Sequence, residues 1–227
     1  VFDPQADERK ALFDPATRAQ AVFLDRDLLA TAPIALVLGA TLDNLVLAVE
    51  GLMSLDGDAL SHAALIHAVH LMWGRLSDLA SGDDGDKLRL DLAQAGILAG
   101  TGTNNTPAGV CTALGHAIGA NFDCDNALAK AVLLPQVITF NGPAAKPGLA
   151  RVASAMSLTS ADQVAPALKR LMRRLTLPES LDAFGITEAN LPSIAERAMK
   201  DWFVQGNCRP INNVADLLGL LRNVMQR

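Results

Sequence analysis

Apolar residues in this chain recur mostly at steps of three and four, and that spacing predicts helices over most of its length. From 33 to 53 the stripe Leu36, Val37, Leu42, Leu45, Val46, Val49 and Leu52 is interrupted by few polar residues and reads as a buried helix. The next pattern, from 61 to 79, opens on a serine cap and continues through Leu65, Val69, Met72 and Leu76 into the turn SGDDGD. Further helices are predicted at 87 to 98, 107 to 121 and 127 to 140, with Thr106 as N-cap and Pro107 in the first turn of the middle one. After NGPAAKPG, amphipathic patterns at 149 to 156, 161 to 175, 191 to 201 and 214 to 225 complete a bundle with short connections, helped by the capping pairs Thr159-Ser160 and Thr187-Glu188. Residues 1 to 25 differ. There the apolar runs 11 to 13 and 21 to 24 stand near the turn-starting pairs Asp3-Pro4 and Asp14-Pro15 and predict one or two short strands. The expected fold class is all-α, a multi-helix bundle with a short N-terminal β segment.

Composition narrows the function classes. Half of the 227 residues are hydrophobic, enough for a substantial core without staples. Nineteen basic against 24 acidic residues leave a formal charge of -5, evenly mixed, which with the absence of Tyr argues against a nucleic-acid partner. Cys111, Cys124 and Cys208 cannot all pair and form no zinc-like spacing, so a reducing, cytoplasmic setting is expected. No stretch reaches the ~18 uninterrupted apolar residues of a membrane span, and no membrane partner is expected. The chain opens on Val1 and Phe2 without Met, which reads as a piece of a longer polypeptide.

Four segments carry a family resemblance: AVFLDRDLLATAP (21 to 33), TLDNLVLAVEGLMS (41 to 54), GVCTALGHAIGANF with LAKAVLLPQVITFN (109 to 141), and GNCRPIN (206 to 212). Their order and spacing resemble the iron-containing alcohol dehydrogenases of the dehydroquinate synthase-like fold, over nearly the whole chain. The resemblance implies that residues 1 to 28 are a strand-containing linker from a nucleotide-binding domain and that residues 29 to 227 are the helical domain. It also implies NAD or NADP as cofactor of the complete protein, a small carbonyl or alcohol as substrate, and a homodimer. GTGTNNT at 100 to 106 joins two helices and reads as an interhelix loop rather than a phosphate cradle.

In the family a divalent ion is held by an aspartate, a histidine four residues later, and two histidines on the later segment; i and i+4 side chains share one helix face. Here those positions hold Asp43, Leu47, Thr112 and Asn126. Leucine has no lone pair and the threonine and asparagine oxygens suit iron or zinc poorly, so no iron or zinc is expected. Asp43 is either catalytic or a structural acceptor. His116 matches the family's proton-relay histidine and is either a general acid or a core histidine bonded to a backbone carbonyl. Thr112, Asn126 and Arg209 are candidate substrate contacts, with Arg209 steering a carboxylate or tying its loop to a helix end. Three further clusters read as surface features: His62, His67 and His70; Asp83, Asp84 and Asp86; and Lys169, Arg170, Arg173 and Arg174.

These residues support three functions. One is a carbonyl reductase that works without metal, as the maleylacetate reductase branch can. A second is a scaffold or subunit that has lost the chemistry, and a third is a helical module binding its own small ligand.

Overall fold

The computed structural model describes residues 2–3, 8–9, 16, 19–122 and 124–225. Ten α-helices carry the fold among them: α1 Arg26–Ala30, α2 Ile34–Met53, α3 Ala59–Leu79, α4 Asp86–Gly102, α5 Val110–Gly119, α6 Asn126–Asn141, α7 Lys146–Ala155, α8 Val164–Arg174, α9 Leu191–Ala198 and α10 Val214–Met225. The N-terminal β segment is a minimal pair, β1 Phe2–Asp3 and β2 Glu8–Arg9, antiparallel with Phe2 opposite Arg9. The strand predicted at 21 to 24 does not form. Phe23 is 91% exposed, and Asp25 then caps α1, which the apolar pattern does not predict, by accepting from the amides of Asp27 and Leu28. The run 11 to 13 lies outside the described residues.

The centre of the bundle is α2, which packs against α3, α4, α6 and α7. By length and composition alone it would pass for a membrane span, although Asp43, Asn44 and Glu50 interrupt its apolar run. Here its stripe Leu42, Leu45, Val46, Val49 and Leu52 is closed off by the surrounding helices. Each such side chain contributes about 1.5–3 kcal/mol by leaving water. Gly148 sets the distance to α7, because a Cβ there would run into the Leu52 carbonyl.

Helix ends show where local capping yields to tertiary capping. Asp58, not Ser61, caps α3, its carboxylate accepting the Ser61 amide at 2.7 Å. Thr106 does not start α5; its hydroxyl donates back to Gly102 O, at the end of α4, which runs three residues into the predicted loop GTGTNNT. The helix expected from 107 begins only at Val110. In the turn SGDDGD, Asp84 is not merely solvated: it receives two bonds at 2.9 Å from the buried Arg89, whose guanidinium also reaches Leu29 O and Ala32 O.

Candidate active site

Two segments far apart in sequence meet in one hollow. The first half of α2 contributes Leu36, Gly39, Ala40 and Asp43, and the start of α6 contributes Asn126 and Ala127; with Asp125 they line an open space of about 250 Å³. α6 starts there because the Asp125 carboxylate accepts the Ala127 amide at 2.8 Å, an ordinary N-cap. Asp43 and Asn126, paired by the resemblance, are thus brought together.

Asp43 is already engaged. Its Oδ1 accepts from Lys130 Nζ at 2.6 Å, and the Lys130 side chain is only 4% exposed against 37% for Asp43. Lys130 lies one helical turn after Asn126, on the same face of α6. Gly115 on α5 makes room for its stem, since a Cβ there would run into Lys130 Cγ and lie 2.9 Å from both Lys130 Cε and Asn126 Oδ1. Asn126 Oδ1 is buried and has no hydrogen-bond partner.

Thr112 sits elsewhere. It is buried in the first turn of α5, where its hydroxyl donates to Glu50 Oε2 at 2.6 Å. Glu50, on α2, also accepts the Cys111 amide at 2.7 Å and the Thr112 amide at 3.2 Å, while Asn207 Oδ1 accepts the Val110 amide at 3.3 Å. The first amides of a helix lack internal partners, and here a carboxylate from another helix and a loop amide replace a local cap. Burial pushes the Glu50 carboxyl up, more than the Thr112 hydroxyl and the amides of Gly109, Cys111 and Thr112 pull it down.

The four positions aligned with the metal do not form a donor set for iron or zinc. Asp43 is paired with an ammonium, Leu47 offers no lone pair, and the Thr112 hydroxyl is committed to Glu50. Asn126 Oδ1 is left by itself, whereas zinc and iron sites draw on three or four strong ligands. Among the described residues no three of His, Cys, Asp and Glu converge on one point.

His116, at the other end of α5, bonds a carboxylate rather than a backbone carbonyl. Its Nδ1 lies 2.9 Å from Asp201 Oδ2, and the Phe203 ring packs at 5.8 Å. Burial works to raise the Asp201 carboxyl, but it is outweighed by the His116 bond, the Phe203 amide and the charges of His116 and Lys130, so it lies below its ordinary range. With Asp201 ionised, Nδ1 carries the proton toward it and Nε2 is the nitrogen left for chemistry. The Lys130 charge therefore acts on both Asp43 and the His116–Asp201 pair.

Arg209 is remote from the hollow. Its guanidinium donates to Phe140 O at 2.7 Å and stacks 4.0 Å over the Phe140 ring, at the far end of α6 from Asn126, about 20 Å along the helix. It ties its loop to a helix end, as does Asn207, which exchanges bonds of 2.9 and 3.0 Å with Asn141. His67 and His70 stack at 6.1 Å, His70 Nδ1 lies 3.2 Å from Ala155 O, and Arg173 pairs with Glu179 at 2.8 Å.

Sequence reasoning passed over Lys130, Glu50, Asp201 and Asn207. A signal existed for the first two, each the one charge in an apolar stretch, LAKAVLL and LAVEGLM. For Asp201 and Asn207 there was none, since their partners are distant in sequence.

Comparison with known proteins places this geometry. The chain is 31% identical over 188 residues to 1,3-propanediol dehydrogenase of Klebsiella pneumoniae, covering 79% of this chain and 49% of that protein. To lactaldehyde reductase of Escherichia coli it is 29% identical over 217 residues, covering 92% and 56%. The crystal structure of a 1,3-propanediol oxidoreductase superposes with a TM-score of 0.81 at 30% identity, over 88% of this chain and 55% of that one. The chain spans about half the length of these relatives. Residues 38–225 match the Fe-containing alcohol dehydrogenase family, C-terminal. This chain therefore belongs to the iron-containing alcohol dehydrogenases and corresponds to their helical C-terminal part.

Proposed function

We propose that this chain is the helical half of a cytoplasmic NAD(P)-dependent reductase that acts on a small carbonyl compound without iron or zinc. The observation that carries this reading is the His116–Asp201 pair at 2.9 Å, an oriented imidazole at the position that resembles the family's proton-relay histidine. A nicotinamide held by a nucleotide-binding half supplies the hydride when bound. The residues of this chain do the rest. The hollow between α2 and α6 receives the substrate, with the Asn126 amide as its neutral polar contact. As the carbonyl carbon gains the hydride, the π pair moves to oxygen, and imidazolium His116, braced by Asp201, delivers its Nε2 proton to that oxygen. One carbonyl, one reduced nicotinamide and one proton give one alcohol and one oxidised nicotinamide. Thr112, committed to Glu50, acts by fixing the start of α5 rather than by touching substrate.

A second reading is a subunit that has lost the chemistry, favoured by Leu47 at a ligand position and by the Asp43–Lys130 pair. One experiment separates the two. Joined to a nucleotide-binding half, the chain is assayed for NAD(P)H oxidation with lactaldehyde, other aldehydes and 2-oxo acids, and for NAD(P)⁺ reduction with 1,3-propanediol. Turnover without added metal, reduced about 10²–10⁴-fold by His116→Gln, supports the reductase. Inactivity across the panel in a folded protein supports the subunit.

A further inference from the structure

Lys130 has no counterpart among the functional positions that the sequence points to, yet its buried ammonium is paired with Asp43, which lines the hollow. An ammonium is costly to bury unless it is paired. This one is buried beside the carboxylate aligned with the family's first metal ligand, in a space that Gly115 leaves open. Of its three N–H donors, one goes to Asp43, and no other described residue receives a bond from it. One helical turn earlier, the Asn126 oxygen is buried with no donor. Lys130 Cε and Asn126 Oδ1 both lie 2.9 Å from the point where a Gly115 Cβ would be, so they are no more than twice that distance apart. The Asp43-paired ammonium thus keeps two N–H donors beyond that bond, and the open Asn126 acceptor stands near it on the same face of α6.

We propose that Lys130 is the resident cation of this site: its ammonium takes the place of a divalent ion beside Asp43, keeps such an ion out, and binds the oxygen of the carbonyl substrate. The catalytic part rests on the reductase reading; the exclusion of metal does not. In the reduction a Lys130 N–H points at the carbonyl oxygen and stabilises the negative charge that develops as hydride arrives, the work a Lewis acid would otherwise do. When His116 has protonated that oxygen, the new hydroxyl can donate to Asn126 Oδ1, satisfying the orphaned acceptor. Lys130 keeps its own proton throughout and acts by charge.

Two measurements test this. In the 227-residue chain the ligand set is restored as Leu47→His, Thr112→His and Asn126→His, with and without Lys130→Met, and Co²⁺ binding is followed by its visible absorption bands. A dication and an ammonium cannot share one position, so the Met version is expected to bind Co²⁺ at least about 100-fold more tightly. Equal affinity in folded proteins overturns the exclusion. Should Thr112→His unfold the chain, the Leu47→His, Asn126→His pair gives the same comparison.

In the joined protein, Lys130→Ala is expected to lower kcat about 100-fold or more with the KM for nicotinamide unchanged. Added ethylammonium should restore part of that loss, which a merely structural role would not allow. A full-rate or unrescued variant overturns the catalytic part. If the wild-type protein does not turn over, the reductase reading fails and the cobalt comparison alone judges Lys130.

Discussion

Glu50 and Asp201 brace α5 from two other elements and respond to pH with opposite signs. The Glu50 carboxyl is raised by burial, so the folded state holds its proton more tightly than the unfolded chain does. Stability from this group is therefore lost as pH rises from the ordinary Glu range, about 4.3, through the raised value. The Asp201 carboxyl is lowered, so its contribution is present above the ordinary Asp range and is lost as pH falls below about 4. Urea midpoints against pH check both: relative to Glu50→Gln the wild type should lose ground as pH rises, and relative to Asp201→Asn it should lose ground as pH falls. Glu50→Ala, which strands two buried amides and a hydroxyl, should cost about 3 kcal/mol at neutral pH. At this scale the sequence carried a sign of Glu50 and Lys130, charges within the apolar stretches LAVEGLM and LAKAVLL, that the reading of motifs did not use. It could not show what satisfies them, because the partners of each come from a different helix.

At the scale of elements, periodicity located nine of the helices and erred mainly at their ends. α10 matches its predicted bounds, Val214–Met225, because its amphipathic stripe stops where the apolar spacing does. α5 begins later than expected, because its first amides are satisfied by Glu50 and Asn207 rather than by Thr106. Among the α-helices of the described residues only α1 escaped, a five-residue helix with no buried side chain and hence no stripe to read. The contact between α2 and α7 gives a prediction at this scale. Gly148→Ala should raise helix propensity by about 1 kcal/mol, yet it drives a methyl into the Leu52 carbonyl. The backbone of α2 cannot yield as a side-chain tip can, so a net loss of about 2 kcal/mol is expected, measured by urea unfolding.

For the whole molecule, the layering around α2 predicts a gradient of local stability. Amides of α2, α5 and α6, the helices richest in fully buried residues, should exchange with solvent only on global unfolding, while those of α1 should exchange quickly; hydrogen exchange read by mass spectrometry checks this. By itself the sequence determined the helical class, the family, and which residue types stand at the metal positions, because apolar periodicity and motif spacing are written in the order of residues. Only the tertiary structure decided what those positions do. It gave Asp43 to Lys130, Thr112 to Glu50, His116 to Asp201 and Arg209 to the far end of α6. The physical reason is that a buried charge or an open helix end must be satisfied wherever the fold brings a partner, and that partner need not be near in the chain.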